Sequence, residues 1–252
     1  MERWPEIRRD PRLLLEGART VVSVAFNYRQ PNPYPEIATY ALGEDYHKAL
    51  KRRLKGVVRT LREEFGGEYR ICIDSAPVLE RYWAERCGVG KRSPLSGNIV
   101  VPGVGSMVFL AEIITTLDFS SVVFTSPDGG VSGVDASNYA LPPCPTGALQ
   151  PGGMVDAGRC INYLTIEHVG EWSEEEKALM SRPGAAGKVF GCDICQLACP
   201  SNHGAAPEIL PEFRPLPEIS QLISAIRSGD AAHPAFKLPT PLSRWLRGCG
   251  KR

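Results

Sequence analysis

The sequence predicts an α/β (α+β) chain: a strand-and-helix N-terminal part followed by a cysteine-bearing part. Three observations carry this. Thr20-Val21-Val22-Ser23-Val24-Ala25-Phe26 is a β-branched apolar run and reads as a buried strand. Tyr46, Leu50, Leu54, Val57, Val58, Leu61 and Phe65 then recur at helical spacing. Finally, Cys160, Cys192, Cys195 and Cys199 crowd one stretch, a clustering that favours metal over disulfides in a chain without a secretion signal.

Bulk properties bound the rest. The chain has 252 residues, enough for one large domain or two small ones, and its 43% hydrophobic and 23% charged residues are ordinary for a globular protein. The formal net charge of +1 gives no bulk argument for nucleic acid or membrane binding. No apolar run approaches the roughly 20 residues of a membrane helix, and Met1-Glu2-Arg3-Trp4-Pro5 has no apolar signal core. The expected location is the cytoplasm, with no membrane partner.

Each element has a local reason. After the first strand, Pro31, Pro33 and Pro35 mark a loop. The helix from Asp45 to Phe65 ends at Gly66-Gly67. Tyr69 to Ile73 reads as a short strand running into Asp74-Ser75-Ala76-Pro77. Asp74 or Ser75 there would cap a helix reaching from Val78 to Cys87. Residues 88–106 are glycine-rich and read as loop. Met107 to Leu117 is apolar and fits either a strand or a buried helix. Residues 126–143 read as loop and domain boundary. Ser173-x-x-Glu176 is a capping box opening a short helix to about Ser181. One more helix is expected near Ile219 to Arg227. The implied division is 1–125, 126–205 and a tail from 206 to 252.

The strongest chemical signal is Cys192-x2-Cys195-x3-Cys199-Pro200, with Cys144-Pro145-Thr146-Gly147-Ala148-Leu149 upstream. Both Cys-Pro steps match the end of a ferredoxin cluster motif, in which soft thiolates hold iron. In two-cluster ferredoxins the fourth cysteine of each motif serves the other cluster. By that rule Cys144, Cys160, Cys192 and Cys195 form one complete [4Fe–4S] set in a ferredoxin-like domain. The partner set would need cysteines at Val134, Ser137 and Ala140, and none is present. One cluster is therefore expected, with Cys199 left over and read as an inert thiol in preference to a replacement ligand. A zinc site also fits a C-x2-C pair with two further cysteines; the Cys-Pro ends and the C-x3-C step favour iron. Cys72, Cys87 and Cys249 read as ordinary thiols.

The sequence resembles the epoxyqueuosine reductase family across roughly residues 8–202. The resemblance rests on Asp10-Pro11-Arg12-Leu13-Leu14, Gly43-Glu44-Asp45-Tyr46-His47-Lys48 and Asp74-Ser75-Ala76-Pro77-Val78-Leu79-Glu80-Arg81. It continues through Gly105-Ser106-Met107-Val108-Phe109-Leu110, the Cys144 and Cys192 motifs, and Cys160-Ile161-Asn162-Tyr163-Leu164-Thr165. It implies an N-terminal cobalamin-binding α/β domain, a ferredoxin-like iron–sulfur domain, and electrons passing through iron to cobalt. The reaction implied is removal of the epoxide oxygen of epoxyqueuosine in tRNA, fed by a donor such as a flavodoxin or ferredoxin. It also implies Asp74 as proton donor and His47, Asn98 and Thr165 as cofactor contacts. A carboxyl at a helix N-terminus is pulled towards its ionised form, so a proton-donating Asp74 requires desolvation to prevail.

The chain departs from the family in the cysteines missing at 134, 137 and 140 and in a remodelled loop, Gly88-Val89-Gly90-Lys91-Arg92-Ser93-Pro94-Leu95-Ser96-Gly97-Asn98. It also starts almost at the Asp10-Pro11-Arg12 stretch and carries no helical-repeat extension. These departures motivate a second reading, an iron–sulfur electron-transfer paralogue without the reductase activity. Lys48, Lys51, Arg52, Arg53, Lys55, Arg59 and Arg62 make a basic stripe that could meet phosphates, although such a stripe is more often a solvated helix face.

Overall fold

The computed structural model describes residues 5–121, 143–204, 208–230 and 234–243, the side chain of residue 236 excepted. The elements are α1 (Pro5–Arg9), β1 (Thr20–Asn27), α2 (Tyr46–Phe65), β2 (Tyr69–Cys72), α3 (Glu80–Arg86), β3 (Lys91–Arg92), β4 (Ile99–Val100) and β5 (Val108–Thr115). Next come β6 (Leu149–Gln150), β7 (Met154–Val155), α4 (Glu174–Met180), α5 (Ile194–Leu197) and α6 (Ile219–Ser228). The mixed α/β class is as expected.

β5 is the centre of the main sheet, in the order β1-β5-β2, antiparallel to both neighbours. This settles the ambiguity at Met107 to Leu117. A central strand covered on both faces is apolar throughout, so its sequence shows no alternation to read. α2 lays Leu50, Leu54 and Val58 against Phe109, Ala111 and Ile113 on one face. The other face packs Cys72, Val78 and Ile114 with Trp83 of α3. α2 begins where the Asp45 carboxylate accepts from the His47 backbone N–H, and it stops at Gly66 (φ 67°).

Two local expectations are corrected. The helix expected from Val78 starts only at Glu80, with Leu79 at its N-cap and no side-chain cap bond. Neither Asp74 nor Ser75 caps it, because the chain at Asp74 turns through a left-handed conformation (φ 50°). The loop expected across 88–106 contains the β3–β4 hairpin. Elsewhere the capping box of Ser173 and Glu176 forms as read, opening α4, and α6 lies within one residue of its expected end. The expected loop at 126–143 falls almost wholly outside the described residues.

The cysteine-bearing segment docks on the loop that follows β1. Ile37 bridges to Phe190, and the Ala38 N–H donates to the Phe190 carbonyl. Gly191 (φ 74°) is the close-approach point: a Cβ there would lie 2.7 Å from the Cβ of Ala38. Just beyond, the Thr39 N–H and hydroxyl both donate to buried Asp193, at 2.6 and 2.7 Å. α6 covers this junction, placing Leu222 and Ile223 with Ile37, Leu42 and Phe190. No helix among the described residues is long and apolar enough to cross a membrane.

Candidate active site and cysteine cluster

The start of α2 and the turn after β2 meet at Asp74. Its Oδ2 accepts from the Tyr46 hydroxyl and contacts His47 Nε2, both at 2.9 Å. The opposite ring nitrogen, His47 Nδ1, contacts the buried Asp45 carboxylate at 2.7 Å. Tyr46 is fixed by stacking on Phe109 (ring centroids 4.3 Å apart) and on His47 (4.0 Å). The Asp74 N–H donates to Glu80 at 2.5 Å. This ties the start of α3 to the turn, in place of the cap that the sequence suggested. The Asp74 side chain remains 58% exposed.

The charges around this turn follow from burial and pairing. Burial pulls the His47 imidazole down. The hydrogen bonds and charges of Asp45 and Asp74 outweigh it, and the ring is pushed up to about 9. At neutral pH His47 is therefore an imidazolium donating from both nitrogens. Burial chiefly, aided by the charge of Asp74, pushes the Glu80 carboxyl up to about 7. Glu112, in the middle of β5, is fully buried, and burial followed by the charge of Glu80 pushes it up to about 8. Its Oε1 accepts from Ser23 at 3.4 Å, and its Oε2 finds no partner among the described residues. Tyr46 and Glu80 carry positioning roles that the sequence reading did not assign. The Asp45-Tyr46-His47 triplet next to a helix start was the available signal.

The four cysteines of the expected set come together. Burial first, then the nearby sulfurs of Cys192, Cys160 and Cys144 and the charge of Asp193, push the Cys195 thiol up to about 12. At Cys144 burial acts upward. The Thr146 side chain and the backbone N–H groups of Ala148, Thr146 and Leu149 overcome it and hold the thiol below its usual value. The Ala148 N–H lies 3.3 Å from the Cys144 sulfur. Such a ring of donors suits a thiolate that shares its charge with metal. Among the described residues no group of three or more His, Cys, Asp or Glu is set around a single metal ion. Cys199 is buried, and Cys249 and positions 134, 137 and 140 lie outside the described residues.

The remaining expected contacts fall in different places. Thr165 is buried beside the cysteines, donating to the Ile161 carbonyl and accepting from the Gly191 N–H. Asn98 is half-buried and closes the β3–β4 loop through its backbone carbonyl, which accepts from Ser93. Of the non-cysteine candidates, the structure brings together only Asp74 and His47. Aromatic rings connect the two regions. Tyr46 meets Tyr40 edge-on at 6.0 Å, and Tyr40 meets Phe190, two residues before Cys192, at 5.8 Å.

Comparison with known proteins decides the family. Residues 8–75 match the family described as Epoxyqueuosine reductase QueG, DUF1730. An epoxyqueuosine reductase of Cyclobacterium marinum is 38% identical over 216 residues, covering 82% of this chain and 66% of the relative. The chain belongs to the epoxyqueuosine reductase family. A second member, from Leadbetterella byssophila, is 38% identical over 217 residues, covering 82% of this chain and 67% of its own length. Residues 141–202 match a 4Fe–4S double cluster binding domain, so the cysteine segment is an iron–sulfur domain. Among solved structures, epoxyqueuosine reductase bound to an epoxyqueuosine-modified tRNA stem loop superposes with TM-score 0.68 at 29% identity, covering 83% of this chain and 55% of that one. The Bacillus subtilis enzyme, described with its catalytic loop swung out of the active site, gives TM-score 0.68 at 30% identity, covering 85% of this chain and 57% of that one. The chain thus spans about two thirds of these curated relatives and little more than half of the solved enzymes.

Proposed function

We propose that this chain is a cytoplasmic reductase that converts epoxyqueuosine in tRNA to queuosine. Its residues 1–125 would form the cofactor and substrate part, 126–205 the ferredoxin-like part, and 206–252 a covering tail. Cys144, Cys160, Cys192 and Cys195 would hold a single [4Fe–4S] cluster, fed by a flavodoxin or ferredoxin. The observation that carries this reading is the Asp74 carboxylate, exposed on a left-handed turn with His47 and Tyr46 both on Oδ2.

Removing an epoxide oxygen as water takes two electrons and two protons and leaves a carbon–carbon double bond. Cobalamin, which the family resemblance implies, would supply the strongly reducing metal centre. His47, with both ring nitrogens engaged by carboxylates, would border the bound cofactor as a proton carrier. Asp74 is exposed enough to reach a substrate oxygen. It relays a proton to that oxygen as the C–O bond opens, receiving it in the same movement from the His47 imidazolium across the 2.9 Å contact. Asp45 keeps the ring oriented and charged. This removes the conflict noted from sequence. Asp74 need not be protonated at rest by desolvation, because the proton is stored on its neighbour. Asn98 and the β3–β4 loop would border the cofactor, and Thr165 would brace the cluster segment.

The test is an anaerobic preparation assayed for iron, for cobalamin binding and for conversion of epoxyqueuosine-containing tRNA. Asp74→Ala is expected to lower conversion by about 10²- to 10⁴-fold while leaving the visible iron–sulfur spectrum unchanged. Full activity in that variant removes Asp74 from the chemistry. A wild-type chain that carries iron but never turns over favours the electron-transfer paralogue.

A further inference from the structure

Beside the Asp74 turn lies a cavity of about 700 Å³ whose walls come from three places: α2, β2 and the turn itself. Its charged lining includes Lys48, Lys51, Lys55 and Arg70, and it contains no aspartate or glutamate. Arg52 also lines it, but its guanidinium is spent on Glu44 at 2.9 Å through both terminal nitrogens. Lys48, Lys51 and Lys55 form no salt bridge among the described residues. Cations concentrated here do not reflect the chain's overall balance, which is only +1. A solvated helix face is convex and alternates its charges; this surface is concave, of one sign, and floored by Ile71, Ile73 and Pro77.

We propose that this cavity binds the phosphodiester backbone of the substrate RNA, next to the nucleotide presented to Asp74. Lys48, Lys51 and Lys55 share one face of α2, at i, i+3 and i+7. With a rise of about 1.5 Å per residue they form a row about 10 Å long. That length exceeds one phosphate and suits successive phosphates of a strand. Lysines act here as point charges that neutralise phosphate without reading bases. His47 lines the same cavity and touches Asp74, so an RNA strand seated on the lysine row has its neighbouring nucleotide at the proton donor. The inference rests on the proposed RNA substrate, but it is measured independently of turnover.

The experiment uses the full chain, a fluorescent anticodon stem-loop RNA lacking the modification, and binding titrations across a range of salt. Lys51→Glu with Lys55→Glu is compared with Arg59→Glu with Arg214→Glu, an equal charge change outside the cavity. The cavity pair is expected to weaken RNA binding at least tenfold. It should also flatten the dependence of log K on log salt by about 1.5, the release of about two counterions fewer. The outside pair should weaken binding less than threefold. Equal weakening by both pairs, no weakening by the cavity pair, or a wild-type chain that binds no RNA overturns the site. So does loss of cobalamin binding with RNA binding unchanged, which would assign the cavity to the cofactor's own phosphate. Turnover separates the two claims. RNA binding through the cavity without epoxide reduction sinks the reductase reading alone, whereas reduction with cavity-independent RNA binding sinks the site alone.

Discussion

The turn carrying Asp74 and the segment carrying Cys192 and Cys195 are both positioned by distant parts of the chain, but by different physics. Asp74 sits in a web of charge: an imidazolium, a phenol and two further carboxylates within a few residues, on backbone that a non-glycine residue rarely adopts. The cysteine segment is held by neutral backbone donors, buried apolar contacts and one tight approach at Gly191. A proton donor must change charge during its work, and neighbours that carry or accept a proton compensate that change. A cluster should keep its geometry through redox change, and donors that never titrate serve it better.

The largest expected effect breaks the cysteine side. Cys192→Ser is expected to abolish the visible iron–sulfur absorbance and reduce bound iron to background. Cys199→Ser, at a cysteine whose partner set is missing at 134, 137 and 140, should leave both unchanged. Retained absorbance in the first variant, or loss in the second, overturns the ligand assignment.

An intermediate effect probes the charged side. His47 is raised to about 9 in the folded chain, above its ordinary value of about 6.5. Its pairing therefore stabilises the fold fully below pH about 6.5, and that contribution is lost as pH rises through about 9. His47→Gln is expected to remove roughly 2 kcal/mol of stability at pH 6, discounted for the exposed partner, and to make activity fall as if proton supply were slowed. Denaturant titrations at pH 6 and pH 10 check this. An equal effect at both pH values would mean that packing, and not charge, carries the role.

An effect of similar size on stability, but of opposite sign and without a role in activity, concerns Glu112. A buried carboxyl raised to about 8 against an unfolded value near 4.3 costs stability increasingly as pH climbs between those values. Glu112→Gln should raise stability by about 2 kcal/mol at pH 8 and hardly alter it at pH 4, as read by the shift of the unfolding midpoint. A destabilised variant at pH 8 would show that the carboxylate is satisfied in its buried site.

Much of the fold was legible because it is local. Val21 to Phe26, the apolar face of α2, the Gly66 stop and the Ser173–Glu176 box each carry their structure within a few residues. The iron–sulfur domain was legible from cysteine spacing. What escaped was decided across the chain. The left-handed Asp74 follows from Glu80, Tyr46 and His47 closing around it, and no window near Asp74 encodes that. Thr39 and Asp193 are 154 residues apart, and neither is unusual where it stands. Glu112 was visible as a lone charge inside Val108-Phe109-Leu110-Ala111-Glu112-Ile113-Ile114-Thr115, but only the sheet order shows that both of its faces are covered.

The Thr39–Asp193 pair has a consequence for modularity. A carboxylate buried between two cysteines, accepting from the amide and hydroxyl of Thr39 in a loop far away in the sequence, makes the iron-bearing unit dependent on its neighbour for neutralising hydrogen bonds. Transplanting that unit onto another scaffold would succeed only if the new host offered a matching hydroxyl and amide at the same spot. Otherwise the graft would carry an unsolvated negative charge into its own interior.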